Sequence, residues 1–354
     1  ALGLATPLAI MIGTANAAQR GILVKDAESL EIAHKIKAII LDKTGTLTKG
    51  KPDLTDIIAY GAERTEVLQL SASLEKYSEH HLAKPIIERA QKENLELFEV
   101  KDFEAIAGKG VRGKLTIDGR ETLGMVGNRA LIKESNISLT NFEKDIVNLE
   151  EEGKTVVVLA LDNKIEGLIS VADTLKGESI KAIGDLKKAG LDVWMITGDN
   201  ERVARAIGRQ VGIENIMAEV LPQDKAEKVK ELQKTGKLVA MAGDGINDAP
   251  ALAQADLGIA MGEGTDIAME SAEITLMRGD LTLIPEVISL SRRTLTIIKQ
   301  NLFWAFFYNA AFIPVAAGLL YPFFGILLNP IFAAIAMAFS SLSVVLNSLR
   351  LKKG

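Results

Sequence analysis

Three short stretches of this 354-residue chain hold the residue types that phosphoryl chemistry requires. DKTGTLT runs from Asp42 to Thr48, TGD from Thr197 to Asp199 and GDGIND from Gly243 to Asp248, with Lys225 between the last two in LPQDKAEK. Each alone reads as a turn, because Gly and Asp after a strand usually mark one. As an ordered set behind three strands they ask for more. A carboxylate at Asp42 can attack a phosphoryl group in line and form an acyl phosphate. Its own charge repels a triphosphate, so the attack needs Mg²⁺, for which Asp244 and Asp248 offer hard oxygen ligands. Lys225 can neutralise the oxygens of the transferred group, and the Thr197 hydroxyl can hydrogen-bond them.

The elements that must position these residues are those of an α/β protein. Short buried-type runs at Ala38–Leu41, Val193–Ile196 and Leu238–Ala242 read as strands, each followed at once by Asp, Thr or Gly. Between them, Ser179–Lys188 places Ile180, Ile183 and Leu186 on one helical face, with Gly190 as a stop. Asp224 with Glu227, after Pro222, marks another helix start. Strand–helix alternation implies a parallel sheet with helices on both faces, and ligands bind beyond the carboxyl ends of such strands. From Lys51 to about Leu168 the pattern changes. Helical segments Thr65–Leu74 and Leu82–Lys92, a Gly-rich turn, and strand-like Thr155–Leu161 and Ile165–Val171 read as a second domain inserted after the first strand.

Composition narrows the classes. A net charge of −5 gives no electrostatic case for nucleic acid, zero Cys excludes disulfides and thiolate metal sites within the chain, and three His make a His-based zinc site a poor reading. The hydrophobic excess lies at the ends. Leu302–Leu320 and Ile326–Leu346 carry no charged side chain, and each is about 20 residues long, enough to cross a bilayer as a helix. Arg292, Arg293 and Lys299 precede the first, and Arg350, Lys352 and Lys353 follow the second, so both outer ends are expected on the cytoplasmic side. The opening ALGLATPLAIMIGTANAAQRG lacks a charged leader and contains Pro7, which argues against a signal peptide and for part of a membrane helix.

In this order, with a domain inserted after the first, DKTGTLT, TGD and GDGIND resemble the phosphorylation domain of a P-type ATPase, a Rossmannoid α/β fold of the haloacid-dehalogenase-like type. The resemblance implies that Asp42 is the phosphorylated nucleophile. It also implies that Asp244 and Asp248, with the Thr44 carbonyl, position Mg²⁺, and that Lys225 and Thr197 stabilise the phosphoryl group. Soluble phosphatases of that wider fold carry a second Asp two residues after the nucleophile as general acid/base. Here the position is Thr44, which cannot move that proton, so the aspartyl phosphate should persist. SEHHLAKP (Ser78–Pro85), GKGVRG (Gly108–Gly113) and Gly127-Asn128 resemble the α+β nucleotide-binding domain of the heavy-metal (P1B) branch. They imply ATP contacts from Glu75, His80, Gly108, Gly110 and Asn128, joined on the phosphorylation domain by Gly198, Asp199 and Asn247. His81 stands where the family has Pro and is expected to alter loop stiffness.

The apolar ends bear on the ion. Asn301, Tyr308-Asn309 and Pro314 in the first span, and Met337, Ser340-Ser341 and Asn347 in the second, match the spacing of the Cu(I)-transporting members. A thioether suits Cu(I), and the lack of a carboxylate in either span disfavours Zn²⁺ or Ca²⁺. Tyr308, Asn309, Met337 and Ser341 are the expected transport-site residues, with Ag(I) as a second cargo. The implied layout is a partial transmembrane helix at 1–20, a phosphorylation domain at 21–50 and 169–288, a nucleotide-binding domain at 51–168, and transmembrane helices at 296–321 and 326–349. The implied location is the cell membrane, with both catalytic domains cytoplasmic. Partners are membrane lipid, a copper-donating chaperone, and an upstream part of the same protein bearing an actuator domain, earlier helices and a Cys-Pro-Cys. Phosphorylation without transport is expected of these 354 residues alone. Alternatives are the same pump with Zn, Cd or Co, a membrane-anchored phosphatase of this fold, and a non-catalytic membrane protein that retains nucleotide binding.

Overall fold

The computed structural model describes residues 2–78, 82–117, 119–262, 264–319 and 330–353. They form two compact units: 1–42, 181–193 and 222–354 make the first, and 43–180 with 194–221 the second.

The first unit is built on strands whose residues are buried on both faces, as parallel strands covered by helices must be. Ala38–Asp42, Val239–Gly243 and Leu257–Met261 are buried at every position. Val239–Gly243 pairs in parallel with Ala38–Asp42 on one side and with Leu257–Met261 on the other. Ile274–Leu276 continues the parallel order, and Ile22–Val24 closes the edge antiparallel to it. Register carries the functional consequence. Leu41 lies opposite Ala242, so Asp42 ends its strand level with Gly243, one residue before Asp244.

Helices Leu2–Gln19, Leu283–Ala316 and Pro330–Leu349 pack together in the same unit. A Cβ on Gly13 would lie 2.8 Å from Thr294 Oγ1, so the first two helices cross closely only because Gly13 has none. Asn301 is wholly buried at the junction. Its amide donates to Ala5 O at 3.0 Å and Ser348 Oγ at 2.8 Å, and its carbonyl accepts from Asn347 at 2.9 Å. Phe303, Phe306, Ile313, Met337 and Phe339 face outward. Among the described residues no helix is long and apolar enough to cross a membrane. The end of the expected 296–321 span and the start of the 326–349 span lie outside them.

The second unit carries an antiparallel sheet in the order Thr48–Ala59, Lys164–Leu175, Thr155–Leu161, Arg120–Gly127, Gly110–Ile117, Val100–Ile106. From Val156 to Leu161, strand Thr155–Leu161 is apolar because both faces are covered. Val156, Val158 and Ala160 enter a core with helices Arg129–Glu134 and Glu143–Glu151, while Val157 and Leu159 enter another under helices Arg64–Glu75 and Ala83–Lys92. Gly110 and Gly127 face each other across two strands. A Cβ on Gly110 would fall 2.2 Å from Val126 O, and one on Gly127 2.4 Å from Lys109 O. Helix Glu201–Val211 begins at Asn200, whose side chain accepts from Arg202 N and Val203 N, and stops at left-handed Gly212.

The expected strands and helices lie within a few residues of those observed, with one correction. Ile180 is 59 % exposed, whereas Ala182, Ile183 and Leu186 are buried. The buried stripe is centred on Ala182–Ile183, and Ile180 points to the other side of the helix. The helix expected at Asp224 does begin there, as Lys225–Gln233, without a capping bond from the Asp224 side chain.

Glu150 joins two elements of the second unit. Its carboxylate accepts from Arg129 and from Asn200 Nδ2 at 2.8 Å and pairs with Arg202 at 3.5 Å, with a side chain only 2 % exposed. Removing one partner of a buried pair costs about 3–5 kcal/mol. Glu143 still pairs with Arg129, so Glu150→Ala should lose about 3 kcal/mol in urea unfolding. A loss below about 1 kcal/mol would deny Glu150 this role.

Candidate active site

Asp42, Lys225, Asp244 and Asp248 meet at the carboxyl edge of the first unit's sheet. Lys225 Nζ donates to Asp42 Oδ1 at 2.8 Å and to Asp248 Oδ1 at 2.6 Å. The other Asp248 oxygen accepts from the backbone of Asp244 at 3.3 Å and Gly245 at 3.2 Å. Gly243 permits this turn, since a Cβ there would lie 2.7 Å from that of Asp248. Burial, followed by the Asp248 charge, pushes the Asp42 carboxyl above the usual range, with Lys225 opposing. Burial opposes the charge on Lys225, but the two carboxylates outweigh it and hold its pKa above an ordinary lysine's. Carboxylate oxygens of Asp42, Asp244 and Asp248 all lie within 4.8 Å of one another. When all three are ionised, the carboxylates exceed the one ammonium by two negative charges, and hard oxygen donors suit a divalent cation. The residues therefore fit Mg²⁺. Asn247 lies in the same turn, exposed.

Thr44, Thr197, Gly198 and Asp199 belong to the second unit. Thr44 is exposed and extended, ahead of left-handed Gly45. The Thr197 hydroxyl donates to Asp199 Oδ2 at 2.9 Å and accepts from the Asp199 amide at 3.1 Å. Asp199 also accepts from Lys43 Nζ at 2.5 Å and Thr155 Oγ1 at 3.0 Å. Burial raises its pKa, but Lys43 and the hydroxyls outweigh this and hold it below the usual range. Gly198 is exposed at the turn.

In the inserted segment, Asn128 ties the glycine loop to the next helix. Its side chain donates to Gly108 O at 2.9 Å and accepts from Ala130 N and Leu131 N, capping Arg129–Glu134. Gly108 and Gly110 both have positive φ, at +71° and +146°. Glu75 is buried at the end of its helix, burial lifts its pKa, and Oε2 has no partner among the described residues. His80 and His81 lie outside those residues.

Of the expected transport residues, Tyr308 packs on Trp304 and Phe307, and Asn309 donates to its own helix at Ala305 O, 2.8 Å away. Met337 is 71 % exposed and Ser341 half-buried. No hydrogen bond joins either of the first pair to either of the second among the described residues.

The model of haloacid dehalogenase-like hydrolases matches residues 36–256. The chain belongs to that family. Along its whole length this haloacid dehalogenase-like protein is also similar to P-type ATPases. It is 52 % identical to a "Probable copper-importing P-type ATPase A" of Enterococcus hirae, aligning over 100 % of itself and 47 % of that protein. It is 49 % identical to a "Copper-exporting P-type ATPase" of Staphylococcus saprophyticus, over 100 % of itself and 43 % of the relative. The chain thus spans a little under half the length of these relatives. Among solved structures, a zinc-transporting PIB-type ATPase in the E2.Pi state matches 99 % of this chain and 55 % of its own, at 34 % identity and TM-score 0.74.

Sequence reading missed Lys43 and Thr155 as the partners of Asp199. Only the charge directly after Asp42 hinted at the first.

The Glu75 environment has a definite pH signature. A carboxyl whose folded pKa is raised loses stability as pH climbs from the unfolded value, about 4.3, towards the folded one, and the penalty is complete above that. Glu75→Gln should therefore melt higher than the parent at pH 8, with the difference vanishing near pH ~4. Equal melting at both pH values would refute the burial penalty.

Proposed function

We propose that this chain is the catalytic and C-terminal membrane part of an ATP-driven Cu(I) pump, with Ag(I) as a second cargo, moving the ion out of the cytoplasm through an aspartyl phosphate. One observation carries the chemistry: Lys225 Nζ lies 2.8 Å from Asp42 and 2.6 Å from Asp248, with Asp244 alongside. An Asp42 oxygen attacks the γ-phosphorus of ATP, its new O–P bond replaces the bond to the leaving ADP oxygen, and ADP departs. Asp42, Asp244 and Asp248, with the Thr44 carbonyl, would hold Mg²⁺, which supplies charge neutralisation when bound. Lys225 holds Asp42 and neutralises the incoming phosphoryl oxygens. The family resemblance assigns phosphoryl or nucleotide contacts to Thr197, Gly198 and Asp199, and a phosphate contact to Asn247. The Glu75 oxygen that has no partner among the described residues accepts from the adenine amine, His80 is the residue expected near the base, and Gly108, Gly110 and Asn128 form the cradle.

The membrane assignment covers 1–20, 296–321 and 326–349, with the phosphorylation domain at 21–50 and 169–288, the nucleotide-binding domain at 51–168, and both in the cytoplasm. Outward-facing Phe303, Phe306, Ile313 and Phe339 support it. The exposed thioether of Met337 is open to ligation and, with Tyr308, Asn309 and Ser341, is our choice for the ion path. An upstream segment with an actuator domain and earlier helices, and a copper-donating chaperone, complete the proposal. Relatives named for import and for export both match, so direction rests on our reading alone.

Incubation with γ-labelled ATP and Mg²⁺ should yield an acid-stable, hydroxylamine-sensitive phosphoenzyme that Asp42→Asn abolishes. Rapid hydrolysis of small phosphoesters with no trapped intermediate would replace the pump with a phosphatase. Thr44→Asp restores a proton-transfer group and should shorten the phosphoenzyme lifetime about 10²-fold; an unchanged lifetime would refute the role of Thr44. In the longer protein, phosphorylation stimulated by Zn²⁺ but not by Cu(I) would overturn the ion. Copper uptake into vesicles in only the inward direction would overturn export.

A further inference from the structure

A second charged site lies on the helix bundle and shares no residue with the phosphorylation site. A cavity of about 260 Å³ is lined by Arg292, Arg293, Arg350 and Gln300 over a floor of Ile297 and Leu351. Ile297 and Leu351 are buried, so the floor is a fixed part of the bundle core. Arg350 is aimed by two bonds, from Nη1 to Asn347 Oδ1 at 2.9 Å and to Gln300 Oε1 at 3.4 Å. Arg292 is held more weakly, through Ala189 O at 3.4 Å. All three bonds use neutral acceptors and leave most of the guanidinium donors free.

No acidic residue lines this cavity, and among the described residues no carboxylate pairs with Arg292, Arg293 or Arg350. The contrast with neighbouring cations is plain: Arg20, on the same bundle, pairs with Glu286 at 3.3 Å. Three guanidinium groups around one space repel each other, and an anion with several oxygens relieves that repulsion while accepting forked hydrogen bonds. The position of the cavity selects among anions. Gln300 is one helical turn, about 5 Å, before Phe303, where outward aromatic side chains begin: Phe303 is 60 % exposed, Trp304 41 % and Phe307 51 %. Aromatic belts sit at membrane interfaces, and basic pockets just outside them meet lipid headgroups.

We propose that this cavity binds the phosphate of an anionic phospholipid. The proposal rests on reading these helices as membrane-embedded. The test uses the whole chain in uncharged detergent, titrated with tail-labelled phosphatidylglycerol or phosphatidylcholine and followed by fluorescence anisotropy. Phosphatidylglycerol should bind about tenfold more tightly, and Arg292→Gln or Arg350→Gln should each weaken it about fivefold. Formation of the Asp42 phosphoenzyme should survive in both variants, which establishes that they fold. Equal binding of the two lipids, or a preference that persists in an Arg292→Gln/Arg293→Gln/Arg350→Gln variant, would overturn the site. Displacement of phosphatidylglycerol by submillimolar inorganic phosphate would overturn the lipid as the source of the phosphate. Failure of the membrane reading shows separately, as a chain that stays dispersed and monomeric without detergent.

Discussion

Burying several carboxylates at one sheet edge is the constraint around which the first unit is organised. Asp42 and Asp248 are both nearly inaccessible, and like charges in a poorly solvated space repel strongly. The Lys225 ammonium between them offsets that repulsion and satisfies one oxygen of each. Its placement defies local preference. Lys225 is the first residue of its helix, where the macrodipole disfavours a cation, and Asp224 adds no cap. A local rule broken at a buried ion pair marks a position chosen for chemistry over stability. Gly243 belongs to the same arrangement, because any side chain there would collide with Asp248.

The second unit repeats the principle with different partners. Asp199 is held by Lys43, Thr197 and Thr155, so residues from the loop after Asp42, the TGD turn and a sheet strand share one carboxylate. Glu150 then ties helix Glu143–Glu151 to the start of helix Glu201–Val211 through Asn200 and Arg202. Buried pairs of this kind add little net stability over apolar packing, but they disfavour other arrangements of the same elements. Here they fix the TGD turn against the inserted sheet.

In the helix bundle the same logic runs on uncharged groups. Asn301 is buried with three amide hydrogen bonds to Ala5, Ser348 and Asn347, which spread across all three helices. Thr294 and Ser340 hydroxyls, by contrast, have no partner among the described residues. The close crossing at Gly13 brings the first two helices near enough for Asn301 to reach a backbone carbonyl. Polar groups are costly in an apolar bundle unless paired, so this network sets which faces meet.

How much of this was legible in the chain depends on the range of the interaction. Asp42, Lys225, Asp244 and Asp248 were readable because few residue types can perform phosphoryl transfer, and because short apolar runs located the strands before them. Strand Ala38–Asp42 and helix Ser179–Lys188 followed from local pattern. The exposure of Ile180 did not, since a helix face has no fixed centre until something packs on it. Nor did the Lys43–Asp199 pair, 156 residues apart, the Glu150 junction, or the arginine cavity, lined by helix Leu283–Ala316 and the turn after Leu349. Which side chains could do the chemistry, and roughly where strands and helices fall, follows from residue type and short-range periodicity. Which charges pair, and which cations have no carboxylate partner among the described residues, depends on strand register and helix crossing, which bring together residues that no local pattern relates.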